Sequence, residues 1–160
     1  MANPINILID LEEKLRRSMT AESSESDVNY KAFSYESLRG KHFIYAKVIN
    51  SEVQAISVFE HENPFRGTER YSLLYAVREN CRGLRLSVEA VNKGIGELSI
   101  ALKQKGITSF YVEALIDEKN IPSIKVAERL FPQPPFSTTD DETGTPAKLF
   151  HKLFTIAPQA

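Results

Sequence analysis

Six apolar residues, Leu84, Val88, Val91, Ile95, Leu98 and Leu102, advance by 4, 3, 4, 3 and 4 positions, a period that only a helix satisfies over such a length. The spacing predicts one long amphipathic helix that ends before Gly106. Immediately upstream, Tyr71 to Val77 is an aromatic and aliphatic run of strand length; immediately downstream, Ile107 to Ile116 is another. Strand, helix and strand in close succession predict a right-handed crossover joining two parallel strands of one sheet. Any fold for this chain has to be built around that unit.

The remaining segments extend the sheet. Phe43 to Ile49 and Val53 to Glu60 read as strands separated from each other by Asn50-Ser51-Glu52, and Asn63 to Gly67 reads as the connection to Tyr71 to Val77. Short connections make these three an antiparallel meander. Pro122 to Phe131 reads as a second helix, opened near Asn120 and stopped by Pro132. Ile5, Leu8, Leu11 and Leu15 place an amphipathic helix over residues 5–18, and Thr20 to Asp27, rich in Ser and Glu, reads as a mobile connection. Leu149, Phe150, Leu153 and Phe154 fit a helix face or a buried strand; the hairpin-like loop Asp140-Asp141-Glu142-Thr143-Gly144 before them favours the strand. The fold class expected is α+β: a mixed, mostly antiparallel twisted sheet with one parallel βαβ crossover. We expect a single domain over 1–160, with a variable N-terminal helical region (1–40), a core (42–131) and a C-terminal strand and loop region (132–160).

Composition narrows the partners. The 160 residues carry 20 Lys+Arg against 21 Asp+Glu, a net charge of -1, which argues against a broad nucleic-acid surface. A single cysteine, Cys81, permits no internal disulfide and no thiolate zinc site. No apolar run reaches the length of a membrane span, and Met1 to Asp10 lacks the features of a signal peptide, so the expected location is cytoplasmic. His42 and His151 have no partners in the sequence that would make a triad or a metal site, and no metal is implied.

The chemistry concentrates where the strand Tyr71 to Val77 runs through Arg78-Glu79-Asn80-Cys81-Arg82-Gly83 into the long helix. A strand, a tight turn with Arg and Gly, and a helix N-terminus direct free N–H groups and the positive helix end at an anion. The run Tyr75 to Val91, with Arg82-Gly83 and Glu89-Ala90-Val91, resembles the acyl-CoA-binding motif of the GNAT acetyltransferase superfamily, particularly the branch that modifies ribosomal-protein N-termini. Glu113-Ala114, Asn120 and Ser123 ahead of the second helix resemble that branch's second motif. The resemblance covers roughly residues 42–131. It implies an acetyl-CoA-dependent N-acetyltransferase in which Val77 and Arg78 pair by backbone with the pantetheine arm. The turn Arg82, Gly83, Leu84, Arg85, Leu86 and Ser87 then holds the pyrophosphate, and Asn120 and Ser123 stand beside the thioester. A second register, in which Lys93-Gly94-Ile95-Gly96-Glu97-Leu98 is the glycine-rich loop, would cut the helical stripe in half.

Two positions depart from the family pattern. Arg85 stands where a second glycine is usual, and Ala127 where many members place a tyrosine that protonates the departing thiolate. For the base that takes the amine proton, Glu69 is the first candidate, followed by Glu60 and Glu62 beside His61. The acceptor expected is an amine, of a protein or peptide before a small molecule, and the acidic tip Asp140-Asp141-Glu142 suits a cationic one. A homodimer is compatible with the elements, although no residue pattern specifies it. The alternative reading is a catalytically weak or inactive module on the same scaffold that serves binding or regulation.

Overall fold

A computed structural model describes residues 4–16, 22–23 and 29–156, without the side chains of Leu15, Arg16, Glu22, Ser23 and Leu84. The chain order is α1 (Pro4–Arg16), β1 (Glu22–Ser23), β2 (Tyr30–Ser37), β3 (Gly40–Ile49), β4 (Glu52–Phe65), β5 (Thr68–Val77), a short 3-10 turn (Glu79–Cys81), α2 (Leu84–Gln104), β6 (Ser109–Asp117), α3 (Ile121–Leu130), β7 (Phe136–Thr139) and β8 (Pro146–Thr155). The strands form one sheet in the order β1-β2-β3-β4-β5-β6-β8-β7. Every pairing is antiparallel except β5 with β6, which α2 connects. This is the α+β architecture with one parallel crossover expected from the helical stripe.

Alternation along each strand divides the core between the two faces. Phe43, Tyr45, Phe59, Tyr71, Leu73, Phe110, Val112, Ala114 and Phe150 are buried with Val91, Leu98 and Leu102 of α2 and Ala127 of α3. On the other face, Leu8 and Leu11 of α1 pack with Ile44, Ala46, Ile56, Val58 and Leu74. The helix α1 therefore covers β3 to β5, and its Glu12 accepts a hydrogen bond from the Val53 N–H (2.9 Å) and ion-pairs with Arg78.

Three local features differ from the sequence reading. β4 continues through Phe65, because the hairpin to β5 turns on two residues alone: Arg66 and Gly67 have φ of 51° and 77°, the left-handed pair of a tight two-residue loop. Pro64, which has no N–H for a ladder, falls in the register irregularity between Glu62 and Phe65. The region 1–40 is not helical throughout, since α1 ends at Arg16 and Tyr30–Ser37 is a strand paired along its length with β3. That strand is mostly half-exposed or exposed, with apolar residues on both faces, so period 2 is faint in it. Of the stretch Thr20 to Asp27, only Glu22 and Ser23 are among the described residues, and they pair with β2.

Gly94 and Gly96 lie inside an unbroken α2, which rules out the register that makes them a phosphate loop. A Cβ on Gly94 would overlap Ser57 Oγ and lie 2.8 Å from Phe59 Cε2, whereas one on Gly96 would meet nothing within 4 Å. Gly94 is thus the point where α2 rests against β4. The C-terminal segment is the strand β8, and Asp140 to Gly144 form the tip of the β7–β8 hairpin.

Candidate functional site

The strands β5 and β6 pair only from Glu69–Phe110 to Ser72–Glu113, then separate. Each is held from outside: β6 pairs with β8 along its whole length, and β5 with β4 as far as Val77. The Arg78 N–H continues that second ladder by donating to Gln54 O (2.8 Å). Alternation in an antiparallel ladder then gives residues 74, 76 and 78 to β4 and turns the N–H and C=O groups of Leu73, Tyr75 and Val77 toward the split. Val77 thus turns its backbone groups toward the split. Arg78 does not present its N–H there, and its side chain is engaged with Glu12, with Glu52 (3.4 Å) and with Val53 O (2.9 Å).

A groove of about 600 Å³ opens at the wide end of the split. Of the residues singled out in the sequence, Val77, Arg82, Gly83, Ser87, Asn120 and Ser123 line it. Arg85 is exposed and outside its lining, Leu86 packs toward the cluster of Tyr30, Ala55, Val77 and Ala90, and Leu84 is described through its backbone alone. The α2 N-terminus has no side-chain cap and no acidic residue in its first turn; Gly83 precedes it in an extended conformation (φ 167°, ψ 147°). Its first N–H groups have no partner within the helix, and this is the local chemistry that holds an anion.

Two lining residues were not evident in the sequence. Lys125, on the exposed side of α3, adds a cation to the groove. Tyr75 reaches across from β5, and its hydroxyl donates to Ser123 O (2.6 Å); burial pushes its pKa well above the ordinary value. Ala127, fully buried in the next turn of α3, belongs to the core against which Tyr75 packs. Asn120 is the N-cap of α3, accepting from the Ser123 N–H (3.3 Å). In the acidic tip, Asp141 and Glu142 are exposed and Asp140 is half-buried, and the hairpin is tied to the end of β6 by Thr145 Oγ1, which donates to Asp117 Oδ2 (3.1 Å).

The three carboxylates predicted as bases lie toward the paired end of the split. Glu62 accepts both hydrogen bonds of Arg39 Nη1 (3.1 and 3.2 Å) and one from Ser72 Oγ (3.2 Å), and Glu60 lies 3.8 Å from the same arginine. Glu69 is 2.5 Å from His61 Nε2. At about 3.3 Å per strand residue, Glu69 lies about 20 Å along β5 from Tyr75. Glu113, by contrast, stands at the fork itself. Burial raises its pKa, the Arg70 guanidinium at 3.1 Å and His151 oppose that rise, and Glu62 adds to it. A glutamate alternating with Val112 and Ala114 in the middle of a strand was the available signal. Among the described residues, no cluster of His, Cys, Asp or Glu could hold a metal ion, and no helix is long and apolar enough to cross a membrane.

His42 is 1% exposed, and its Nδ1 accepts the His61 N–H (2.8 Å) while Nε2 meets Ser37 Oγ (2.5 Å). Protonating Nδ1 would destroy the first bond. Burial lowers the His42 pKa first of all, Arg39 and His61 lower it further, and Glu60 and Glu62 oppose them. The unfolded state therefore binds the proton more readily, and stability should fall as pH drops below about 6.5, by at most about 1.4 kcal/mol per pH unit. Urea titrations between pH 7.5 and 5 should show this slope, and His42→Gln should flatten it.

The fold is that of the acyl-CoA N-acyltransferases. No family model matches the sequence, and no curated protein does. Solved structures match by shape. The apo form of RimL, described as a ribosomal L7/L12 α-N-protein acetyltransferase, has a TM-score of 0.54 at 14% identity, with 74% of this chain and 72% of that one covered. A structure of RimL with coenzyme A gives 0.53 at 14% identity, covering 71% and 62%. A GNAT-family acetyltransferase from Bordetella pertussis gives 0.50 at 22% identity, covering 69% of this chain and 65% of that chain's length.

Proposed function

We propose that the chain is an acetyl-CoA-dependent N-acetyltransferase whose acceptor is an amine of a protein or peptide. The observation that carries this reading is the split between β5 and β6, which opens into a groove ending at the uncapped N-terminus of α2. The dimensions suit an elongated cofactor with a phosphate-bearing end. Gly83, Ser87 and the first N–H groups of α2 would hold the pyrophosphate, with Arg82 and Lys125 as local cations. The backbone edges of Tyr75 and Val77 would pair with the pantetheine arm, and Asn120 and Ser123 would flank it. Acetyl-CoA supplies an activated acyl group to this site, and the sheet positions the reactants. The RimL neighbours, named for acetylation of a ribosomal protein, favour a protein amine as acceptor. A cytoplasmic location fits the lone cysteine.

Acetyl-CoA at a hundredfold excess over its Kd should add about 2.7 kcal/mol of stability and raise Tm by several degrees. Gly83→Val separates binding from folding. Gly83 is in an extended conformation open to any residue, and a Cβ there meets nothing within 4 Å, so the variant should fold normally. Its side chain would stand in the groove, and the acetyl-CoA shift should disappear. No shift in the wild type at millimolar acetyl-CoA would leave the binding-module reading, for which the Tyr75–Ser123 bridge across the groove is the supporting feature.

A further inference from the structure

Tyr75 lines the groove with a half-buried phenol that neither the phosphate end nor the backbone pairing uses. Its backbone groups face the split, and its ring leans toward α3, where it packs with the core that includes Ala127. The hydroxyl donates to Ser123 O at 2.6 Å and so stands against the first turn of α3, level with Asn120 and Ser123. A ligand arm that pairs with the Tyr75 backbone and is flanked by Asn120 and Ser123 therefore passes the phenol at close range.

The bond to Ser123 is a surplus one. Ser123 O lies inside α3, where the Ala127 N–H four residues on already satisfies it, so the hydroxyl can turn to another acceptor without leaving a carbonyl orphaned. Burial raises the Tyr75 pKa, and the bond to Ser123 opposes that rise without cancelling it, so the phenol stays neutral and a donor at any working pH. Ala127, buried at the next turn of α3, brings no polar atom of its own side chain. Among the described residues, the lining holds two cations, Arg82 and Lys125, and no carboxylate, so a negative charge forming there meets no repulsion from it.

We infer that the Tyr75 hydroxyl leaves Ser123 O for the sulfur of bound acetyl-CoA and stabilises the thiolate as it departs. The inference rests on the acetyltransferase reading. The neutral amine attacks the thioester carbonyl carbon, a C–N bond forms as the C–S bond breaks, and the bonding pair leaves with the sulfur. Tyr75 keeps its own proton and supplies a hydrogen bond that strengthens as charge builds on the sulfur. The proton lost by nitrogen goes to water, and the thiolate takes one from water on release. A phenol whose pKa burial has raised is a weak acid but still a donor, so it acts by holding charge and not by transferring a proton. The donor is thereby on the sheet, not at position 127 of α3, which holds alanine in this chain.

The test has two readouts on the full chain. The first needs no turnover: the thiol of bound CoA is titrated by the ultraviolet absorbance of its thiolate, with the desulfo-CoA complex subtracted to remove the tyrosines. A donor to the thiolate favours the charged form, so Tyr75→Phe should raise the pKa of the bound thiol by about one to two pH units. Ser123→Ala, which keeps the backbone carbonyl, should leave it unchanged. The second is acetylation of a mixture of peptides bearing free α-amines. There Tyr75→Phe should lower kcat about 10- to 100-fold, with the acetyl-CoA thermal shift and the KM for acetyl-CoA close to wild type. A bound thiol that titrates alike in wild type and Tyr75→Phe overturns the inference. So does a rise in Ser123→Ala alone, which makes the serine the donor, or a kcat near wild type in Tyr75→Phe. Absence of an acetyl-CoA shift in the wild type is a different failure, since it removes the acetyltransferase reading itself.

Discussion

Gly94→Val will destabilise the protein by about 3 kcal/mol, which at this chain length is roughly 6–12 °C in Tm, while Gly96→Ala two positions along the same helix will be neutral or stabilising. The contrast follows from what each missing Cβ would touch. At Gly94 the new atoms enter the space of Ser57 Oγ and Phe59, both fully buried on β4, and α2 cannot lift locally because Val91 and Leu98 on either side are themselves buried. At Gly96 the space is open, and alanine gains up to about 1 kcal/mol of helix propensity. Ser57 Oγ is buried and has no hydrogen-bond partner among the described residues, so Ser57→Ala alone should be close to neutral and should recover part of the loss in Gly94→Ala. Differential scanning calorimetry on the single and double variants measures that coupling. Equal effects at the two glycines would show that the helix does not rest on β4 at Gly94.

The same helix shows why the fold was legible. A stripe repeated six times over one segment is redundant, and two interior glycines did not obscure it because the apolar period ran through them. The parallel crossover then followed from connection length and handedness alone. β2 was not legible, for a physical reason: a strand that buries Tyr30 but leaves most of its length half-exposed needs no strict alternation, so the sequence carries little of it. The end of β4 was misplaced because Asn63 and Pro64 look like a loop, whereas the chain turns only at Arg66 and Gly67.

The site was legible where the backbone makes it and obscure where packing does. Arg82-Gly83 could be read from composition as the turn that opens α2, whose N-terminus has no side-chain cap, and Asn120 announces the cap of α3. Arg78 looked equivalent to Val77, yet ladder alternation turns one N–H to the split and the other to β4, and no local pattern distinguishes adjacent residues in that way. Glu113 was legible as a residue of the second motif, but its place at the fork was not: where β5 and β6 part depends on the outer pairings with β4 and β8, long-range contacts absent from any sequence window.

Glu12→Ala should be as damaging as Gly94→Val, at about 3 kcal/mol, and should weaken acetyl-CoA binding as well. Glu12 is 6% exposed; it holds the Val53 N–H and the Arg78 guanidinium together beneath α1. Removing one partner of a buried pair costs about 3–5 kcal/mol, and the lower end applies because Arg78 is 26% exposed and keeps Glu52 and Val53 O. Glu12→Gln retains an acceptor for the Val53 N–H and should lose about half as much in urea unfolding. The effect on ligand binding follows from position. Pro4 and Ile5, on the same helix, line the groove, and Arg78 follows Val77 at its edge. Loosening α1 therefore loosens a groove wall, and in Glu12→Ala the acetyl-CoA thermal shift should shrink along with the baseline Tm. A full shift on a lowered baseline would mean that α1 stabilises the sheet without shaping the groove. An unchanged baseline would mean that the Glu12–Arg78 pair does not hold α1 in place.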